Sequence, residues 1–115
     1  MNGQGVLLNK ITELSASPTR EDLVDFFATL PDRDSRAWEV NLVKLAERAP
    51  KSNQLFYDIA VDPTHNHPEA SDRHIRFSAY YSYCTYLRRH RNVSDFEETL
   101  VEFREFQDEP MYSQL

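Results

Sequence analysis

Glycine is nearly missing from this chain: Gly3 and Gly5 are the only two, and residues 6–115 contain none. Few positions therefore take positive φ without a steric penalty, and tight two-residue β-hairpins are disfavoured. The glycine-rich loops that cradle phosphates, GxxxxGK[ST] and GxGxxG, are absent too, which removes the standard nucleotide-binding designs. Cysteine is scarcer still. Cys84 stands alone, so no intramolecular disulfide is available to it. No run approaches the roughly 18 apolar residues that span a bilayer, and the start MNGQGVLLNKITEL lacks the basic opening and long apolar stretch of a secretion signal. A cytoplasmic protein is the expectation. Positive charge is the minority sign: 13 basic against 19 acidic residues give a net charge of −6. That balance argues against non-specific binding to phosphate backbones or anionic membranes.

What remains is an apolar pattern of helical period. With 115 residues, 40% of them hydrophobic, the chain supports one core and one domain spanning 1–115. A short first helix carries Val6, Leu7, Ile11 and Leu14. SPTRED opens a second, with Thr19 as N-cap, Asp22 at the capping-box position and a stripe of Leu23, Phe26, Phe27 and Leu30. PDRDS ends it. A third runs from about Ser35 to Ala49 with Trp38, Leu42, Leu45 and Ala46 inward, and APKSN leads to a fourth bearing Leu55, Phe56, Ile59 and Ala60. After the long break DPTHNHPEAS, a fifth helix spans roughly Ser71 to Arg91. SDFE, Ser94 with Glu97, is the capping box predicted for a sixth carrying Phe96, Leu100, Phe103 and Phe106. EPMYSQL then begins a last turn with Pro110 where proline is tolerated. Its one-turn stripe of Met111, Tyr112 and Leu115 either docks between the fifth and sixth helices or opens a further repeat, the chain then being an N-terminal piece of a longer helical-repeat protein.

The expected fold is all-α: about six helices as antiparallel hairpins, in an α-solenoid-like or compact bundle. Pairs of successive helix starts take 33 to 42 residues, a helical-array period. The junction RAPKSNQLFYDIA, through Pro50, Phe56, Ile59 and Ala60, resembles the boundary between tetratricopeptide repeats. That resemblance implies a tetratricopeptide-like or HEAT-like array serving protein recognition.

The fifth helix, RHIRFSAYYSYCTYLRRHR, is the most unusual segment. Phe77, Tyr80, Tyr81, Cys84 and Leu87 share one face, and Ile75, Ala79, Tyr83 and Tyr86 cluster on the other. A helix apolar on two sides is normally sandwiched, and its tyrosines otherwise line a groove for a partner. Residues 73–91 hold five arginines and no acid, whereas residues 92–115 hold seven acids against Arg104 alone. Arginines among tyrosines suit single-stranded nucleic acid, but the adjacent acidic helix offers them intramolecular partners, so nucleic acid is disfavoured.

His65 and His67, with Asp62, Glu69 or Asp72, have metal-ligand chemistry and suggest a metal-dependent hydrolase. H-x-H alone is weak, and Pro63, Pro68 and Asn66 explain the stretch as a polar loop with Ser71 capping the next helix. Cys84, on an apolar face, reads as inert packing. The leading expectation is a non-catalytic interaction or regulatory module with no catalytic, metal or cofactor residues, binding another protein through a groove beside the fifth helix: Tyr83, Tyr86, Arg88, Arg89, Phe103 and Tyr112. A small acidic inhibitor that occupies a basic nucleic-acid channel is the alternative, its phosphate-like row being Asp95, Glu98, Glu102, Glu105, Asp108 and Glu109.

Overall fold

Polar caps start most of the helices. In the computed structural model, which describes residues 8–62 and 65–115, they are α1 (Leu8–Leu14), α2 (Arg20–Ala28), α3 (Arg36–Arg48), α4 (Asn53–Val61), α5 (Asp72–Arg89) and α6 (Val93–Glu102). Three 3-10 turns, Pro50–Ser52, Arg104–Phe106 and Pro110–Gln114, join or follow them. The fold is all-α, and among the described residues there is no strand, only an isolated bridge between His67 and Ala70. Val6 and Leu7, expected in the first helix, lie outside the described residues. The predicted capping box of α2 is complete: the Asp22 amide donates to Thr19 Oγ1 at 3.0 Å and the Thr19 amide donates to Asp22 Oδ2 at 2.9 Å. Ser35 and Ser71 cap α3 and α5 by accepting from the amides of Trp38 and His74. Each satisfies a backbone donor that the helix itself leaves open.

α5 runs through the middle and touches α2, α3, α4 and α6. A helix with four helical neighbours makes the arrangement a compact all-α bundle. The radius of gyration of 12.9 Å agrees with the ~13 Å of a globular chain of this length. The sandwich expected of α5 is present: Ile75, Phe77, Ala79, Tyr80, Tyr81 and Cys84 are all buried. Trp38 of α3 is fully buried, stacked on Phe77 with centroids 5.3 Å apart and edge-on to Tyr81 at 4.9 Å. Its indole N–H donates to Ser78 Oγ at 2.8 Å, and that hydroxyl donates onward to the His74 carbonyl. The one polar atom of the largest core side chain is thus satisfied inside α5.

The end of the chain departs from its sequence pattern in two ways. α6 starts at Val93 and its N-cap is Asn92, whose side-chain oxygen accepts from the Asp95 amide at 3.2 Å, so Ser94 and Glu97 are not its capping box. The reason lies in the turn before it: Asn92 also donates its amide to the Leu87 carbonyl, closing α5, and one residue both ends one helix and starts the next. α6 also stops early. Phe103 is its C-cap and Phe106 lies on the following 3-10 turn, so the four-residue apolar stripe is not carried by one helix. The tightened turn sets Phe106 against Phe77 and Tyr80, with the Arg73 and Arg76 guanidiniums 5.1 and 5.3 Å from its ring centre. Met111, Tyr112 and Leu115 pack on the core, so the last turn docks on this chain.

Candidate functional site

The C-terminal end of α5 closes in a Schellman motif: the Asn92 amide donates to the Leu87 carbonyl at 3.0 Å and the Arg91 amide to the Arg88 carbonyl at 3.1 Å. The geometry requires a left-handed residue, and in a segment without glycine that residue is Arg91, with φ 55°. Among the described residues it is the only non-glycine with positive φ. Arg88, Arg89, His90 and Arg91 are consequently displayed together in solvent, where their charge also complements the negative end of the α5 dipole.

The five arginines of α5 and its turn divide into two groups. Arg73 pairs with Glu109 and, at 2.7 Å, with Asp108, and donates to the Glu105 carbonyl. Arg76 pairs with Glu105 at 2.7 Å and donates to the Ala60 carbonyl at 2.9 Å. Pairing with the acidic segment, expected for most of this arginine charge, therefore holds for the two nearest the start of α5. At the far end Arg89 meets Glu47 of α3 at 3.5 Å, and Arg88 donates to the Gln114 carbonyl at 3.2 Å. Neither Arg88 nor Arg91 forms an ion pair among the described residues. Chain direction explains the split. The antiparallel return places Glu105, Asp108 and Glu109 beside the start of α5, whereas Asp95, near its end, accepts from the Asn92 side chain at 2.8 Å.

Beside these arginines lies an apolar notch of about 330 Å³ bordered by Leu87, Arg88, Arg91, Asn92, Val93 and Phe96. Leu87 is buried and Phe96 half-buried, whereas Val93 is 63% exposed. On the other side of Arg88 a second cleft of about 380 Å³ is bordered by Glu39, Val43, Tyr81, Thr85, Arg89 and Gln114. There the Tyr81 hydroxyl donates to Glu39 at 2.8 Å, and burial above all raises its pKa.

The expected partner residues are distributed unequally over this region. Arg88 and Arg89 are exposed, and Tyr86 is half-buried with its ring 4.3 Å from that of His90. Tyr83 is half-buried against Tyr57, and Tyr112 is half-buried on the core. Phe103 is a core residue, 3% exposed and packed on Tyr57, Tyr80 and Phe106. It fills the space between α5 and α6 instead of lining a groove there. Sequence reasoning missed Leu87, Arg91, Val93 and Phe96 as one surface because Asn92 and Val93 read as a mere link. The available signal was a helix ending on RRHRN with no glycine to close it.

The other candidates are occupied by their own neighbours. His65 Nε2 lies 2.9 Å from the Ile59 carbonyl, its amide donates to Asp72, and His67 Nε2 lies 3.0 Å from Asp25. With the Arg20–Asp62 ion pair they border a cleft of about 550 Å³ between α2 and the loop. Among the described residues no three His, Cys, Asp or Glu side chains are grouped to hold a metal. The Cys84 thiol is pushed up to about 12 by burial, which keeps it protonated. Of the acidic row, Glu102 accepts from the Tyr57 hydroxyl at 2.7 Å, raising that pKa to about 12, while Glu105, Asp108 and Glu109 face arginines of this chain. Asp95, Glu98, Glu102, Glu105 and Asp108 are nevertheless exposed, Asp108 by 82%, and of the row Glu109 is buried. No helix among the described residues is long and apolar enough to cross a membrane. Compared with protein-family models, curated proteins and solved structures, the chain matches none.

Proposed function

We propose that this chain is a non-catalytic interaction module, acting in the cytoplasm, that holds another protein on the surface where α5 turns into α6. The observation that carries this reading is the arginine pair Arg88 and Arg91, exposed and without a carboxylate partner on a chain of net charge −6, bordering an open apolar notch. Exposed apolar surface rimmed by polar groups marks recognition sites, and arginine beside apolar contact is enriched at the centres of interfaces. Tyr80 and Tyr81 of α5 serve the core, and the lone thiol is buried in it, which further favours recognition over nucleophilic chemistry. Val93 and Val101 supply a matched pair for the test, since both are 63% exposed on α6 but only Val93 borders the notch. A photo-crosslinking residue placed at 93 should give a discrete adduct with a cellular protein, and the same residue at 101 should not. Identical adducts from both positions, or none from either, would overturn the proposal.

A further inference from the structure

Resting on that reading, we infer the chemistry of the partner: a short acidic segment that places one large apolar side chain in the notch and sets carboxylates against Arg88 and Arg91. The notch has the apolar floor and the size for a side chain. Buried Leu87, half-buried Phe96 and exposed Val93 line it, and its ~330 Å³ sits at the bottom of the roughly 300–1,000 Å³ range of small-molecule sites. The rim supplies the charge. Arg88, Arg89 and Arg91 are exposed together at the end of α5; of the three only Arg89 is in an ion pair, with Glu47 at 3.5 Å, and Glu39 borders the second cleft beyond Arg88.

The surroundings discriminate between kinds of anion. Asp95, Glu97 and Glu98 stand exposed on the first turns of α6, immediately beyond the notch. An extended polyanion such as nucleic acid, or an anionic membrane, would bring many charges over these three carboxylates and be repelled. A short segment with two or three carboxylates escapes that repulsion. The α5 carbonyl end likewise disfavours an anion seated directly on the helix axis, so the carboxylates belong at the arginine tips, away from the axis, while the apolar side chain occupies the centre.

Arg91 adds an independent argument. It occupies the left-handed position of the Schellman motif, where glycine is the residue of lowest conformational cost. An arginine there cedes stability to the fold and gains the chain a fixed cation at the rim of the notch, the pattern expected where stability is traded for recognition.

Fluorescence anisotropy with synthetic fluorescein-labelled peptides tests the inference on the full chain. The first probe is a short peptide of Asp and Glu with Leu-Phe at its centre; the second has Ser-Ser in place of Leu-Phe; the third has Lys in place of the acids; a fluorescein-labelled oligothymidylate is the fourth. Only the first should bind, more weakly as salt is raised. Arg88→Glu and Val93→Glu should each weaken it by about tenfold or more. Arg91→Gly should weaken it too while melting no lower than the parent, so a loss of binding there cannot be assigned to misfolding. Equal binding of the Ser-Ser peptide, tighter binding of the oligothymidylate, or no binding of the first peptide would overturn the inference. The crosslinking result separates the two readings: an adduct from position 93 whose attached segment is not acidic leaves the interaction module standing and removes its partner chemistry, whereas no adduct removes both.

Discussion

Replacing Glu109 with glutamine should destabilise the fold more than any other change of a single charge. The side chain is only 5% exposed, yet two guanidiniums converge on it: Arg33 Nε donates to one carboxylate oxygen at 2.7 Å, and Arg73 Nε donates to the other. Glutamine keeps the shape and one oxygen, but its amide nitrogen must face one of the arginines, donor against donor. Breaking a buried charge pair by removing one partner costs about 3–5 kcal/mol. Here the arginines are 31% and 36% exposed, so water relieves part of the loss, and Arg73 keeps Asp108 and the Glu105 carbonyl. The discounted cost is about 2–3 kcal/mol. For a chain of this size that corresponds to a melting temperature lower by about 10 °C. Thermal melts and urea titrations of Glu109→Gln measure it, with the urea slope unchanged because the surface exposed on unfolding is the same. A variant melting within about 2 °C of the parent would refute the reasoning. It would mean that desolvating the carboxylate already cancels what the arginines return.

Three further outcomes are expected. Trp38→Ala should cost about 3–5 kcal/mol, because a fully buried ring stacked on Phe77 is lost; a urea midpoint equal to the parent's would place the wrong face of α3 inward. Asn92→Ala should cost about 1 kcal/mol and Ser94→Ala less than about half that, and the reverse order in paired melts would restore Ser94 as the cap of α6. Burial, helped by Arg33, lowers the His74 pKa from its ordinary 6.5. As pH falls below 6.5 the unfolded chain takes up this proton before the folded one does, so the contribution is complete above 6.5 and is lost downward until the folded form titrates. Stability measured between about pH 7 and 5 should therefore fall less steeply in His74→Leu than in the parent, and identical slopes would exclude the histidine as a source.

The parts of this structure legible in the sequence are those decided by local chemistry. Thr19 with Asp22, Ser35 and Ser71 cap helices because an oxygen near three free amides has one good use, and Trp38 turns inward because its helical neighbours Leu42 and Leu45 do. The two-sided apolar pattern of α5 announced a central helix for the same reason. What stayed hidden depends on contacts distant in sequence. Phe106 leaves the helical stripe for a place under the Arg73 and Arg76 guanidiniums, and Glu109 reaches Arg33 across 76 residues. No spacing rule on α6 encodes either. Phe103 was legible as apolar but not as core, since its burial requires Tyr57 and Tyr80 from two other helices. At the candidate site Arg88 and Arg89 were visible as charge, whereas the notch exists only because Asn92 ends one helix and begins the next.

The two ends of α5 thus do different work with the same residue type. At its start, Arg73 and Arg76 are held against Phe106 and three carboxylates, and their charge is spent on fastening the last turns of the chain to the bundle. That fastening engages Glu105, Asp108 and Glu109 with arginines of this chain, Glu109 buried and Asp108 still largely exposed. At the other end neither Arg88 nor Arg91 is in an ion pair among the described residues, Glu39 bordering the cleft beyond Arg88, and the glycine-free turn holds Arg91 at a conformational cost. A positive, partly apolar corner on an otherwise acidic protein follows from this asymmetry of pairing, and an acidic partner meets attraction at that corner and repulsion over the exposed carboxylates of α6. For the inferred acidic segment, orientation would then be set by electrostatics as well as by the notch: its apolar side chain over Leu87, and its acidic flank against Arg88 and Arg91, away from Asp95 and Glu98.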